Sequence, residues 1–431
     1  MLPKEYETAI EQDFRHNLTG ILLFELIWAI GLGFAIYNVT VPAYLALVQA
    51  SKTLIGLLQS AFTIFIFLQI ISSHYLGGPG RKSNVVWFHA AGGLVYVLAG
   101  TICFLWPEPV PRWVSIGFFS GCMLVFAALI SLGTPLYVEL CVDIAPRERR
   151  GFLTGSIYMI LGGAGLVFSC LSESFFASIT AVRNYHLRFL LSGVLFAFST
   201  LAVLSIRDHL NPAHARHVQN NSLLQEIRRV LLRILRDQRY AVFIFFFTLL
   251  VVAVNLGMSY LIPYAREKLK LSQQVLALFP KIWLLSGLLF CVPVGRMGDR
   301  YGYRLVGIIL CGTLLAGYLT ILAWCSPSAV LLAYLPFSLS HQLNIMLLTN
   351  MGVELCPEIS PAKLFAISSL VPLPFILAMV TLAGHLIDLT GSYRPIFVLG
   401  TALALVATAG FVTLVRDPRH HCTGSFNQRK G

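Results

Sequence analysis

Long apolar runs alternate with short polar segments along the whole chain. Twelve of them reach the length of about 20 residues that a helix needs to cross about 30 Å of hydrocarbon. They lie at about 20–46, 53–76, 84–106, 113–141, 152–178, 188–206, 240–263, 272–295, 304–325, 328–354, 363–388 and 395–415. Each predicts a transmembrane helix, because a helix satisfies its own backbone hydrogen bonds in lipid and nothing here shows the two-residue alternation of a barrel. The longest polar interruption, residues 207–239, leaves six runs on either side. The chain therefore divides into an N-terminal six-helix bundle over 1–206, a cytoplasmic linker over 207–239, and a C-terminal six-helix bundle with a tail over 240–431.

Within the linker, residues 222–237 have helical periodicity. Leu224, Ile227, Leu231, Ile234 and Leu235 recur on one side, while Arg228, Arg229, Arg233 and Arg236 fill the rest. Ser222 with Gln225 fits a capping box. Such a helix either lies on the anionic inner leaflet, tethering the two halves, or is a solvated linker.

The two halves carry a copied segment. VELCVDIAP at 138–146 returns as VELCPEISP at 353–361, with Glu139/Glu354, Cys141/Cys356 and Pro146/Pro361 among the identities and Asp143/Glu358 a conservative pair. A repeat spaced by half the chain says that one unit was doubled. The fold class expected is thus an all-α membrane protein, with twelve transmembrane helices in two pseudo-symmetric bundles.

Composition agrees, with 57% hydrophobic and 12% charged residues and a mean hydropathy of +0.77, where soluble domains carry about 25% charged residues. With both termini cytoplasmic, the inner segments hold 22 of the 31 Lys and Arg, which sets the orientation. The net charge of +12 then reflects topology and contact with membrane lipids, and nucleic-acid binding is not expected. The polar first 18 residues and long first run do not resemble a cleavable signal peptide. Eight of the nine cysteines lie in or beside apolar runs, which gives no disulfide framework.

The turn after the eighth run reads GRMGDRYGYR, Gly295 to Arg304, and resembles the G-x-x-x-D-R-x-G-x-R loop of the major facilitator superfamily (MFS). The corresponding turn after the second run, SHYLGGPGRK, keeps Gly80, Arg81 and Lys82 but has Gly77 where the family usually has Asp. DIAPRERRG, Asp143 to Gly151, is similar to the family's second loop, with Arg150 at its arginine position; the second copy keeps Glu358 and Pro361 but has Phe365 there. GHLIDLTGSYRPIF, Gly384 to Phe397, resembles the junction before the last span. The resemblance implies the MFS fold and alternating access of two rocking bundles. It also implies a gate role for Gly295, Asp299, Arg300, Gly302, Arg304, Gly80, Arg81, Asp143, Arg150 and Glu358. In that scheme Asp299 meets the start of the fifth span near Gly151 and Phe152, a carboxylate at a helix N-terminus. Asp143 and Glu358 pair with basic residues such as Arg81 or Arg300.

Polar groups at membrane depth are costly and so mark candidate sites. His341 lies mid-run, with Tyr334, Ser338 and Asn344 on roughly the same helical face. Lys281 follows Pro280 midway through the eighth run and needs an acidic partner, a wet cavity or an anionic ligand. Asn255 is near the middle of the seventh run, and Glu25 is near the cytoplasmic end of the first. Each has a plainer reading: a helix–helix hydrogen bond for His341 and Asn255, and snorkelling for Glu25. A lysine and a histidine at this depth suit a small organic anion carried with protons. The rival transport reading is efflux of apolar compounds, given 30 Phe and 16 Tyr, although the Gly-Pro pair of the antiporter motif is missing from GSIYMILGGAG at 155–165. A transporter-like membrane sensor is the reading of another class. No enzyme motif occurs, and no metal or cofactor is expected beyond a proton gradient; RHHC at 419–422 reads as unstructured tail. The expected protein is a monomer that binds a small-molecule substrate, in a bacterial inner membrane.

Overall fold

The computed structural model describes residues 4–105, 112–176, 178–179, 181–209, 211 and 222–421, and among these no strand occurs. Among the described residues, eleven helices are long and apolar enough to span a membrane. The twelfth expected span, 53–76, is there in three pieces, α3 (Lys52–Gln59), α4 (Ala61–Ile64) and α5 (Ile66–Tyr75). Backbone hydrogen bonds continue through its breaks, Ser60 N–H to Gly56 O at 3.1 Å and Phe65 N–H to Ala61 O at 2.9 Å. Thr63, Ile64, Phe65, Ile66 and Phe67 crowd this stretch with β-branched and aromatic side chains, which lose rotamer freedom in a helix.

The chain forms two compact units, one of Met1–Pro146 with Ile160–Asn220 and the other of Arg147–Met159 with Asn221–Gly431. The boundaries differ from the sequence reading: 147–159 groups with the second unit, and the 207–239 linker divides after residue 220.

The first unit holds α1 (Lys4–Phe34), α2 (Tyr37–Leu47), α3 to α5, α6 (Arg81–Leu105), α7 (Arg112–Asp143), most of α8 (Arg150–Phe175) and α9 (Ala181–Leu204). Helix α1 begins well before the apolar run. Tyr6, Ile10, Phe14 and Asn17 are buried at helical spacing, a stripe too sparse to register as hydropathy. Helices α6 and α9 meet at backbone distance, since a Cβ at Gly193 would fall 2.5 Å from Val97 N, the small-residue packing favoured within membranes. Tyr44, Tyr96, Phe119, Phe126, Phe189 and Phe196 fill the interior. Buried His186 hydrogen-bonds Tyr44 Oη at 3.0 Å.

The second unit holds the start of α8, α10 (Leu223–Arg236), α11 (Gln238–Glu267), α12 (Gln273–Leu276), α13 (Leu278–Tyr301), α14 (Tyr303–Ala323), α15 (Pro327–Leu355), α16 (Pro361–Leu370), α17 (Leu373–Thr390) and α18 (Arg394–Thr413). Pro372 and Pro374 explain why the eleventh span breaks between α16 and α17. The Ser222–Gln225 capping box forms at the start of α10. The buried face of α10 is Glu226, Val230 and Ile234, and Leu224 and Leu235, assigned to the apolar side by periodicity, are exposed. Glu226 pairs with Lys363 at 2.9 Å and Arg233 with Glu358 at 2.9 Å. Ile227, Leu231 and Ile234 of the predicted side are partly or fully buried, so the inward face is the expected one shifted toward Glu226, whose pair with Lys363 faces α16.

Candidate functional site

In the first unit the charged end is organised by Arg81, whose side chain is 1% exposed. Its Nη1 donates to Asp143 Oδ2 at 2.5 Å, its Nη2 to Asp208 Oδ1 at 2.5 Å, and Glu139 Oε2 lies 3.9 Å away. A guanidinium matches this task because its fork serves several carboxylates at once. Lys82 donates to the carbonyls of Leu204 at 2.8 Å and Ile206 at 2.7 Å, closing the last turn of α9.

Deeper in the same unit lies Glu25. From Asp143 to Tyr137 is about 9 Å along α7, at 1.5 Å per residue. Tyr137 Oη donates to Glu25 Oε1, and Glu25 is buried. Among the described residues no ion pair reaches this carboxyl. Phe24, Trp28 and His89 pack around the pair in ring contacts of 5.4–6.0 Å. His89 Nδ1 is occupied by Val85 O at 2.8 Å.

The second unit places Asp299 at the start of α8. Oδ1 accepts from Gly151 N–H at 2.8 Å and Oδ2 from Phe152 N–H at 2.6 Å, while Tyr303 Oη donates to Oδ1 at 2.8 Å. Two amides of a helix's first turn are otherwise unsatisfied, and a carboxylate meets both. The approach depends on glycine, since a Cβ at Gly151 would overlap the Gly295 carbonyl and one at Gly155 would fall 2.5 Å from Cys291 O. Gly151→Ala is therefore expected to force α8 off α13 at a cost of about 1–3 kcal/mol, lowering Tm of the purified protein by about 3 °C or more. An unchanged melting curve would refute this packing.

Around the same turn, Gly302 has φ +91° and its Cα faces Asp417 so closely that no side chain fits. Asp417 Oδ2 accepts from Arg304 N–H at 3.1 Å, and Arg304 donates to the carbonyls of Phe411 and Val412. This parallels Lys82 in the first unit: a base at the start of each unit's third span caps its sixth. Glu354, with a side chain 2% exposed, is held by Arg419 Nη2 at 2.5 Å and Arg147 Nη2 at 3.1 Å. The tail expected to be unstructured thus contributes a ligand. Residues 418–421 form a 3₁₀ turn, while Cys422 lies outside the described residues. Burial opposes the charge on Arg419, and the hydrogen-bonded Glu354 carboxylate more than offsets it, so its pKa is raised. Cys356 is a packing residue whose thiol is pushed up to about 12, mainly by burial.

The remaining candidates are dispersed. Glu358 is exposed and pairs with Arg233, whereas Arg300 stacks over Tyr301 at 5.1 Å, so the expected Arg300 partnership does not form. Arg150 is partly buried at the start of α8, and Gly80 takes φ +88° before α6. The presumed face of α15 splits: Tyr334 is buried edge-on against Phe279 and Ser338 donates to Tyr334 O, while His341 is exposed with its ring 6.4 Å from Trp283. Asn344 and Lys281 are partly buried. Asn255 donates to Val251 O of its own helix at 2.8 Å, in place of an interhelical bond. The sequence reading passed over Gln342, buried between His341 and Leu343, which donates to Trp283 O at 2.7 Å and Ser286 Oγ at 2.6 Å.

The sequence model of the Major Facilitator Superfamily matches residues 23–371. The chain belongs to this superfamily. It is accordingly a multi-pass membrane transporter and not an enzyme. Solved structures of the family share its fold. The proton:xylose symporter XylE, bound to 6-bromo-6-deoxy-D-glucose, aligns with TM-score 0.68 at 15% identity, covering 94% of this chain and 97% of its own. The E. coli fucose:proton symporter FucP gives 0.67 at 12%, covering 93% and 98%. A bacterial homologue of the iron transporter ferroportin, in an outward-facing state with soaked iron, gives 0.63 at 16%, covering 92% and 98%. A search of curated protein sequences gives no match.

Two signals for the missed residues were present. Glu139 and Glu354 are identical positions of the repeat, and each faces an arginine, the buried Arg81 and the partly buried Arg419. Arg-Asp follows the sixth span of each half, at 207–208 and 416–417, and both aspartates turn back to the start of the third span. Nothing in a basic tail marks Arg419.

Proposed function

We propose that the protein is a proton-coupled secondary transporter that moves a small organic anion by alternating access, as a monomer in a bacterial inner membrane with both termini cytoplasmic. The observation that carries the coupling is Glu25. A buried carboxyl whose polar partner is a tyrosine hydroxyl can load a proton when enclosed and release it when water enters, without breaking an ion pair. Two of the structural relatives are described as proton symporters, which supports the same reading. The Asp299 contact with α8 supports alternating access, since it is assembled from groups that can separate as a unit. Lys281 on α13 and the exposed His341 on α15 support an anionic solute, with Asn255, Asn344 and Tyr334 in supporting roles. The excess of Lys and Arg in the segments assigned to the inside supports the orientation.

The test is solute-induced proton movement in proteoliposomes loaded with a pH dye, with panels of organic acids, sugars, amino acids and lipophilic cations. An organic acid is expected to acidify the lumen as it enters, and Lys281→Ala to reduce that response about tenfold or more, the scale of one lost charge pairing. Proton flux only with lipophilic cations would favour efflux of apolar compounds, and no flux with any solute would overturn the proposal.

A further inference from the structure

A residue of the segment that follows the last span, Arg419, ties several elements of the second unit together. Arg419 uses every donor of its guanidinium. Nε donates to both oxygens of Glu354, at 2.8 and 3.0 Å, and Nη2 to Glu354 Oε1 at 2.5 Å and to Arg147 O at 3.2 Å. Nη1 donates to Gly298 O at 3.2 Å and to Asp299 O. The guanidinium carbon lies 5.0 Å from the centre of the Tyr303 ring. One side chain thus joins the turn before α8, the end of α13, the start of α14 and the end of α15. Asp417 anchors the strap from below, accepting from Arg304 N–H and from the amide of Arg419 itself at 2.9 Å.

The position of these contacts matters. Arg147 precedes α8 by three residues, and the Asp299 backbone carbonyl bound by Arg419 belongs to the residue whose carboxylate caps α8. We propose that Arg419 is the positioning residue of this cap: it holds the start of α8 on the end of α13, and α8 leaves α13 only after the strap has let go. The role in a transport cycle rests on the alternating-access reading; the clamp itself does not. Arginine is required because a lysine offers one point charge where five directed donors are in use. Glu354 is the matching half of the device. Its twin in the repeat, Glu139, faces Arg81, which is built into the start of a span, whereas Glu354 draws its arginine from the segment that follows the last span.

Cys291 reports on this contact. It is buried on α13, with its backbone carbonyl directly opposite Gly155 of α8, so its labelling is the readout for loosening of this contact. The experiment follows N-ethylmaleimide labelling of Cys291 by peptide mass spectrometry in the full-length protein in lipid nanodiscs. Arg419→Ala is expected to speed labelling about tenfold, since a contact held by several charge-assisted bonds opens more often once they are gone. A chain ending at Asp417 should behave like Arg419→Ala, one ending at His421 like the wild type, and Arg419→Lys should fall between. If Arg419→Ala proves unstable, the lysine variant and the two truncations decide the matter. Wild-type labelling in the chain ending at Asp417, or equal acceleration in both truncations, would overturn the proposal. Labelling needs no solute, so accelerated labelling in a protein that shows no flux would sink the transport reading and leave the clamp standing.

Discussion

Asp299→Asn is expected to lower solute uptake by about tenfold or more, while the purified protein remains folded. The carboxylate accepts two hydrogen bonds from successive amides of α8 and one from Tyr303. An asparagine offers one oxygen and one NH2 group, so one amide of α8 keeps an acceptor and the other faces a donor. Hydrogen bonds to charged groups are worth about 1.5–3 kcal/mol, and the negative charge at a helix N-terminus about 0.3–1 kcal/mol more. A loss of about 2–4 kcal/mol shifts a two-state contact by about 30- to 1,000-fold, enough to leave the start of α8 mostly undocked. Tyr303→Phe is the internal comparison. It removes one neutral donor worth about 1 kcal/mol and should reduce uptake only about fivefold. Measured in the same vesicles, near-normal uptake by Asp299→Asn would show that the contact takes no part in the cycle.

Glu25→Gln is expected to abolish accumulation driven by a pH gradient and leave solute exchange at equal pH intact. Glutamine keeps the shape and still accepts from Tyr137, but it has no proton to exchange. For one proton per solute, a gradient of one pH unit supplies about 1.4 kcal/mol, or about tenfold accumulation. In the variant that ratio should collapse to about one, whatever the imposed pH difference. Uphill transport that survives Glu25→Gln would place the coupling group elsewhere, with His341 the next candidate to replace.

The motif positions were legible because they obey local chemistry. Gly302 needs a positive φ in a tight turn, and Asp299 follows the glycine spacing of a known loop. Glu25 stood out as an acid in an apolar run, but its partner Tyr137 did not, because a tyrosine is unremarkable among 16. Periodicity found the inward side of α10 only in part: Ile227, Leu231 and Ile234 are partly or fully buried, whereas Leu224 and Leu235 at its margins are exposed and Glu226 and Val230 are buried instead. On α15, a shared arc joined Tyr334 to His341, and packing against Phe279 and Trp283 drew the boundary between them.

By itself the sequence determined the class and plan of this protein: spanning helices, a doubled unit, and charged turns between the spans. Those properties come from hydrocarbon thickness, backbone satisfaction and repeated segments, all of which act along the chain. Tertiary structure decided which charges meet. Arg81 reaches Asp208 across 127 positions and Arg419 reaches Arg147 across 272, and no local rule pairs groups so far apart. Their geometry follows from how closely glycine-lined helices approach, a distance that only the folded chain sets.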